Sequence, residues 1–518
     1  MPNATKVVRN LYRDSVSLMQ LADGLAKLPG VDRASVLMAS EANLGLMRDA
    51  GLLEGRIDAG PNDLLIALQA KTDATVAAAM AHAEKALKEE PSSAAGARTP
   101  GETAPRSIEM AASAMPGANL ALISTPGEYA AAEATKALRL GLNVMLFSDN
   151  VAVDDEVALK TFARDRDLLV MGPDCGTAII DGVPLAFANV VRRGAIGCVG
   201  ASGTGLQQVT SLADRLGLGI SQAIGTGSHD LSEAVGGITM LQGIKLLAAD
   251  PETKVIVLVS KPPALRIAER VLAAASRVGK PVVVNFVGAD PKVIKGRNLF
   301  AATTLEDAAR AAAALVRGRK PSPRGGTTPA LPRLKLAAGQ RYVRGLYSGG
   351  TFCYEASLLL GEALGRVWSN APVNAADRID DVWRSRGHTV IDLGDDVFTR
   401  GRPHPMIDHR LRNERLVAEA DDPEVAVVLF DVVLGYGAHP DPAGEMVPAI
   451  KAAQARAAKR KRRIAFVGFV CGTAADPQNL AGQEAALRKA GVLLAASNAA
   501  AVRLAARIAA PRAKGSSR

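Results

Sequence analysis

Residues 195–206 read Ala195-Ile196-Gly197-Cys198-Val199-Gly200-Ala201-Ser202-Gly203-Thr204-Gly205-Leu206, a buried apolar strand that turns through glycines into a helix beginning near Leu206. Strand, turn and helix in that order form the unit of a doubly wound parallel sheet. Glycine lets the backbone approach a ligand closely. Unpaired amides at a helix start, joined by the hydroxyls of Ser202 and Thr204, then make a site for an anion. A plain strand-to-helix turn is the alternative reading of the same residues.

The same alternation extends on both sides. Short apolar strands at Leu120–Ile123, Val144–Phe147, Leu168–Met171, Val255–Val259 and Val282–Val284 are separated by alanine-rich helical stretches, which predicts parallel sheets covered on both faces. Two subdomains are expected to part near Phe187 to Arg192. A third block repeats the theme with strands at Tyr342–Tyr347, Val390-Ile391, Val425–Phe430, Ile464–Val470 and Val492–Leu494. Its Ser348-Gly349-Gly350-Thr351 stands before a helix expected over Cys353–Leu364, with the physical logic of Ser202-Gly203-Thr204. Two such loops at equivalent places suggest a duplicated flavodoxin-like domain and strengthen the anion reading.

Stretches rich in Pro, Ser, Gly and Thr at Pro91–Pro105 and Arg317–Pro332 read as linkers. Ahead of the first, residues 6–88 alternate strand and helix as a small ferredoxin-like α+β module suited to docking or dimerisation. The expected domains are thus 1–90 (α+β module), 106–187 (a Rossmann-like domain), and 188–316 and 336–512 (two flavodoxin-like domains).

A chain of 518 residues with 48% hydrophobic but only 3% aromatic residues fits such an α/β enzyme. No apolar run reaches the length of a membrane helix and no signal-peptide pattern opens the chain, so a cytoplasmic protein without a membrane partner is expected. The four cysteines, Cys175, Cys198, Cys353 and Cys471, lie far apart and predict neither a disulfide framework nor a metal site. The net charge of +10 includes the run Lys459-Arg460-Lys461-Arg462-Arg463. That run ends a helical stretch (Pro448–Ala458), and no aromatic residues interleave it. A solvated helix end is the expectation rather than a nucleic-acid surface.

Further polar loops follow other strands. Gly172-Pro173-Asp174-Cys175 closes Leu168–Met171, where Cys175 could meet a thiol ligand or a reactive carbonyl; a small buried cysteine in a tight turn is the competing view. Thr226-Gly227-Ser228-His229-Asp230 is a similar loop. His439, in Gly435-Tyr436-Gly437-Ala438-His439, and His404, in Gly401-Arg402-Pro403-His404-Pro405, are candidates for a general acid or base, each balanced against a structural turn histidine. Asp441 and Asp408 read equally well as helix caps.

As a set, Ser124-Thr125-Pro126-Gly127-Glu128-Tyr129-Ala130, Gly172–Gly176, Ala201–Thr204, Ser348–Thr351 and Gly401–Pro405 resemble the FdrA family over nearly the whole chain. The middle block is also similar to the α-subunits of succinyl-CoA synthetase. The resemblance implies a CoA-binding-type domain over 106–187, two succinyl-CoA-ligase-type domains after it, and partner subunits in a hetero-oligomeric enzyme. It leaves CoA open as a cofactor, with Gly172–Cys175 as a substrate or CoA-like contact.

In those synthetases the Ser-Gly-Thr helix faces a phosphohistidine, whereas the corresponding region here, Lys295–Phe300, holds no histidine. Ser260-Lys261-Pro262-Pro263 replaces the synthetase glutamate loop, the glycine-rich nucleotide loop is missing ahead of Ser107, and no ATP-grasp domain is apparent. What the resemblance retains is a phosphate-bearing small molecule at the two loops. It implies transfer of a carbamoyl group from oxalurate to phosphate, giving oxamate and carbamoyl phosphate. An acyl-CoA synthetase subunit, with His439 in place of the missing histidine, and a noncatalytic scaffold are the alternatives.

Overall fold

The computed structural model describes residues 2–510 except 12, 14, 50, 54, 56, 89–104, 323–329, 332–333 and 401. The first expected linker falls almost wholly outside the described residues, the second in part, and Gly401 also lies outside them. The chain divides into two units, Met1–Ala114 with Asp396–His404, and Met115–Asp395 with Pro405–Arg518.

The first unit contains β1 (Asn3–Val8), α1 (Ser15–Ala26), β2 (Val31–Met38), α2 (Glu41–Asp49), β3 (Leu64–Ala70), α3 (Asp73–Lys88) and α4 (Ile108–Ala114). Its three-stranded sheet has the antiparallel order β1-β3-β2. The central strand buries both faces by the twofold alternation of side chains: Leu64, Ile66 and Leu68 pack with Leu18, Ala83 and Leu87, whereas Leu65 and Ala67 pack with Leu44 and Met47. β1 begins three residues ahead of the expected Lys6 because its pairing with β3 extends to Asn3↔Gln69.

The second unit opens with β4 (Leu120–Ile123), α5 (Gly127–Arg139), β5 (Asn143–Leu146), α6 (Val153–Arg164) and β6 (Val170–Met171), a three-stranded parallel sheet. There follow β7 (Thr177–Ile180), β8 (Val183–Ala186), β9 (Arg193–Gly200), α7 (Gly203–Arg215), β10 (Ile220–Gly225), α8 (Ile238–Ala249), β11 (Val255–Ser260), α9 (Leu265–Ser276), β12 (Val282–Phe286), β13 (Leu299–Ala301) and α10 (Leu305–Val316). The last stretch holds β14 (Tyr342–Tyr347), α11 (Gly350–Leu364), β15 (Val367–Trp368), β16 (His388–Asp392), α12 (Asp396–Thr399, in the first unit), α13 (Arg410–Glu419) and β17 (Val425–Val433). It closes with α14 (Pro442–Lys459), β18 (Ala465–Cys471), α15 (Leu480–Lys489), β19 (Leu493–Ala495) and α16 (Asn498–Ala509).

Five parallel strands of the second sheet lie in the order β10-β9-β11-β12-β13, and five of the third in the order β16-β14-β17-β18-β19. Each is the flavodoxin-type 2-1-3-4-5 arrangement, in which ligands bind where the chain reverses its winding beside the first strand. The duplication expected from the two loops is therefore present in the topology. The hairpin β7-β8 joins the second sheet through Ala223↔Ile179, so the change of sheet falls between β6 and β7 rather than near Phe187–Arg192. Pairing of Ile179 with β10 outweighs the expectation drawn from strand spacing alone.

One apolar core runs through both duplicated sheets. Leu206, Val209 and Ala213 of α7 and Leu305 and Ala309 of α10 share it with Phe352, Ala356 and Leu360 of α11 and with Ala501, Val502 and Ala505 of α16. The ring of Phe352 meets that of Phe469 edge-on at 5.0 Å. This shared core fixes α7 against α11.

Among the described residues no helix is long and apolar enough to cross a membrane. The basic run ends α14 as expected: Arg456 pairs with Asp421, Arg460 donates to the Asp421 carbonyl, and Arg462 donates to the carbonyls of Ala420 and Asp422. Leu360 is fully buried on the face of α11 that enters the shared core. Leu360→Ala is expected to destabilise the protein by about 2–5 kcal/mol in urea unfolding, the range for opening a cavity in a core that cannot collapse around it.

Candidate anion site

Both loops end inside their helices: α7 begins at Gly203 and α11 at Gly350, each earlier than the sequence spacing suggests. Ser202 is the reason at α7. Its backbone is extended, and its Oγ accepts the Gly205 amide at 2.9 Å, so the glycines belong to the first turn instead of preceding it. The same Oγ lies 2.6 Å from Thr351 Oγ1 in the first turn of α11. The two predicted loops are thus brought into direct hydrogen-bond contact, although 149 residues separate them. Glycine is required at 349, because a Cβ there would lie 2.8 Å from Thr204 Cγ2. Among the described residues, the amides of Gly203, Thr204, Gly350 and Thr351 donate to no protein acceptor. The linked hydroxyls thus join the first turns of two helices that together carry four N–H groups without a protein acceptor, the type of group that holds phosphate or carboxylate oxygens.

Asp431, from β17, shapes the second loop. Its carboxylate accepts the Ser348 amide (2.9 Å), the Ser348 hydroxyl (2.8 Å) and the Gly349 amide (2.9 Å). The fully buried Arg412 of α13 neutralises it through a 2.9 Å ion pair. Burial lowers the affinity of the Arg412 guanidinium for its proton, and Asp431 counters that effect. Arg412 also contacts His409 Nδ1 at 2.8 Å, and the His409 ring centroid is 5.4 Å from that of His439. His439 is thereby linked to the α11 loop through His409, Arg412 and Asp431. Its own ring accepts the Asp441 amide, and its backbone amide donates to Met406. Asp441 caps α14, as anticipated. His404 lies in the segment of the first unit.

Two further charged residues stand at the start of α11. Asp392, at the end of β16, is 9% exposed; Oδ1 accepts the Gly394 amide at 3.0 Å, while Oδ2 lies 2.5 Å from where a Cβ on Gly350 would be. Lys261, following β11, is exposed and brings Nζ to 3.6 Å from the same point. Burial pushes the Asp392 carboxyl up to about 6, against the opposing pull of Lys261. Asp392 did not stand out in the sequence, and Lys261 did only within the segment that replaces the synthetase glutamate loop, although both occupy the C-terminal ends of buried parallel strands, where ligands of such sheets are held. Below the site Glu355 accepts the Leu305 amide and the Asn498 side chain, anchoring α11 to α10 and α16.

The Gly172–Cys175 loop is packed, not open. A Cβ on Gly227 would fall 2.2 Å from the Pro173 carbonyl, and one on Gly225 would fall 2.5 Å from Cys175 Sγ. Burial pushes the Cys175 thiol up to about 12, which leaves it protonated and unreactive. Among the described residues, Thr125 Oγ1 between β4 and α5 is buried without a hydrogen-bond partner.

A family model described as "CoA-ligase" matches residues 346–508, one described as "CoA binding domain" matches 191–288, and one described as "AllF, heavy metal-associated domain" matches 1–104. The protein YahF of Escherichia coli K12 is 44% identical over 496 residues, covering 94% of this chain and 95% of its own. The α-subunit of the ADP-forming succinate–CoA ligase of Aquifex aeolicus is 29% identical over 178 residues, 33% of this chain and 57% of that subunit. An acetyl-coenzyme A synthetase of Ca. Korarchaeum cryptofilum, solved with phosphate and ADP, aligns over 79% of this chain and 86% of its own at 15% identity, with a TM-score of 0.34.

Arg412→Met leaves Asp431 as an uncompensated buried charge and is expected to cost roughly 3–5 kcal/mol in denaturant unfolding, well beyond a surface substitution. For Asp392 the folded-state pKa is raised, so the native state binds more protons than the unfolded chain above the ordinary carboxyl range. Its contribution is favourable at low pH and is lost as pH rises towards about 6. Asp392→Asn should therefore match the wild type near pH 4 and exceed it by on the order of 3 kcal/mol at pH 8, as read from urea midpoints across pH.

Proposed function

The chain belongs to the FdrA family, and from that premise we propose that it is the acyl-phosphate-handling subunit of an acyl-transferring enzyme, working between the N-termini of α7 and α11. Its fold is of the acyl-CoA synthetase and succinyl-CoA ligase type. The observation that carries the reading is the 2.6 Å contact between Ser202 and Thr351, which joins two anion-type loops into one site.

An acyl phosphate has two parts that such a site separates. Its phosphoryl oxygens suit the four free amides and the one hydroxyl proton that the Ser202–Thr351 bond leaves over, whose dipoles are fixed before the ligand arrives. Its carbonyl is left outside the helix ends, open to attack. In the synthetase-type reaction the acyl carbon exchanges its bond to phosphate oxygen for one to a thiol, and phosphate is left on the helix termini. Thr125 is the residue that would help to hold CoA as the thiol donor, its buried hydroxyl being otherwise unpaired.

A second reading is carbamoyl transfer: a phosphate oxygen bonds to the carbamoyl carbon of oxalurate, the C–N bond breaks, and oxamate departs with a proton on its nitrogen. Lys261 favours it. An ammonium on Ser260-Lys261-Pro262-Pro263 beside the α11 terminus suits inorganic phosphate as a reactant, and Lys295–Phe300 supplies no histidine to carry a phosphoryl group. Both readings predict the same phosphate position. Calorimetric titration with acetyl phosphate, carbamoyl phosphate, CoA and ATP, with and without partner subunits, separates them. CoA binding supports the synthetase reaction, and carbamoyl phosphate binding without CoA supports carbamoyl transfer.

Ser202→Ala and Thr351→Ala are each expected to weaken binding of the phosphate ligand by about 1–3 kcal/mol. The double variant should lose less than the sum, because the two hydroxyls bond each other. Unchanged affinity in both single variants would remove the loops from the ligand site.

A further inference from the structure

Asp392 closes β16 and stands against the first residue of α11. Its side chain is nine-tenths buried, Oδ1 is satisfied by the Gly394 amide, and Oδ2 faces the first residue of α11 without a hydrogen bond of its own. Its backbone is clamped on both sides by Asn370, whose amide donates to the Asp392 carbonyl (3.0 Å) and whose Oδ1 accepts the Asp392 N–H (2.9 Å). That double contact restricts retreat of the carboxyl from the helix start. Lys261 brings Nζ to 3.6 Å from the same point and acts on Asp392 through its charge rather than through a hydrogen bond.

The charged and titratable groups that face Asp392 are Lys261 after β11, Asp395 in its own loop, Asp431 on β17 and Cys353 on α11. Asp431 is already neutralised by Arg412. An anion at the α11 terminus would therefore meet one carboxyl whose charge is not cancelled at contact. An ionised Oδ2 would repel it, whereas a protonated Oδ2 would donate a short, strong hydrogen bond to it.

Resting on the phosphate-site reading, we propose that Asp392 is the proton donor of this site: its carboxylic acid hydrogen-bonds through Oδ2 to the oxyanion held at the start of α11, so anion binding takes up one proton. The proton comes from solvent, passes to Asp392 and stays shared with the bound oxygen; no bond to carbon or phosphorus changes. During transfer the same proton stands beside the oxygen that gains or loses its acyl group. The raised carboxyl pKa, about 6 in the free protein, agrees with this role. Lys261 contributes charge and leaves the proton count unchanged.

Sulfate is the probe that isolates the effect, because it carries no proton of its own near neutrality. Titration calorimetry of the full chain with sulfate, in buffers of differing ionisation enthalpy, is expected to report uptake approaching one proton at pH 8 and almost none at pH 5. The wild-type dissociation constant should rise about tenfold per pH unit above pH 6. Asp392→Asn, which keeps a donor at that position, should bind sulfate more tightly than the wild type at pH 8, without proton uptake and with a flat pH profile. Lys261→Met should bind more weakly with proton uptake intact. Sulfate binding without proton uptake by the wild-type chain would overturn the role of Asp392 and leave the anion site standing. Failure of both the wild type and Asp392→Asn to bind sulfate would overturn the site and the proposal together.

Discussion

Two helix starts that face one another are electrostatically like poles, each equivalent to roughly half a positive charge. α7 and α11 are nevertheless held with a side-chain oxygen of one 2.6 Å from that of the other. The apolar core shared by the two duplicated sheets overcomes their repulsion: Leu206, Val209, Phe352 and Ala356 lie in one cluster, and separating the helices would expose it. Negative groups offset the remainder. Asp431 takes three donors of the second loop, and Asp392 stands over Gly350.

The duplication supplies matching frames and then diverges in charge. β11 and β17 are the third strands of their sheets, each pairing with the first strand that leads into a loop-bearing helix. β11 is followed by Lys261, whereas β17 carries Asp431 backed by the buried Arg412. One copy offers an exposed cation and the other an internally neutralised carboxylate. A single face therefore serves charge supply from one half and loop geometry from the other.

Much of this frame was legible in the sequence because it rests on local pattern: the apolar strands, the two Ser-Gly loops and the repeat of their order are contiguous features. The polar residues that complete the site are not. Asp392, Lys261, Asp431 and Arg412 come from four separate segments, and only the 2-1-3-4-5 winding brings them together. A usable signal was present in the charge that closes otherwise apolar strands, as in Thr389-Val390-Ile391-Asp392 and Val257-Leu258-Val259-Ser260-Lys261. The sequence spacing places the helix starts late because glycines disfavour helix interiors, whereas the Ser202 cap draws those of α7 into its first turn. Cys175 and the glycines around it reflect tight loop packing, a purpose that composition cannot distinguish from ligand contact.

Both helices of the pair belong to one polypeptide, joined through residues 317–341. Had they come from separate chains, the fraction of complete sites would fall on dilution. Here the meeting is intramolecular, and the effective concentration of one half for the other is set by the tether and the shared core, not by abundance in the cell. The contact between the two helix starts should therefore persist at any expression level.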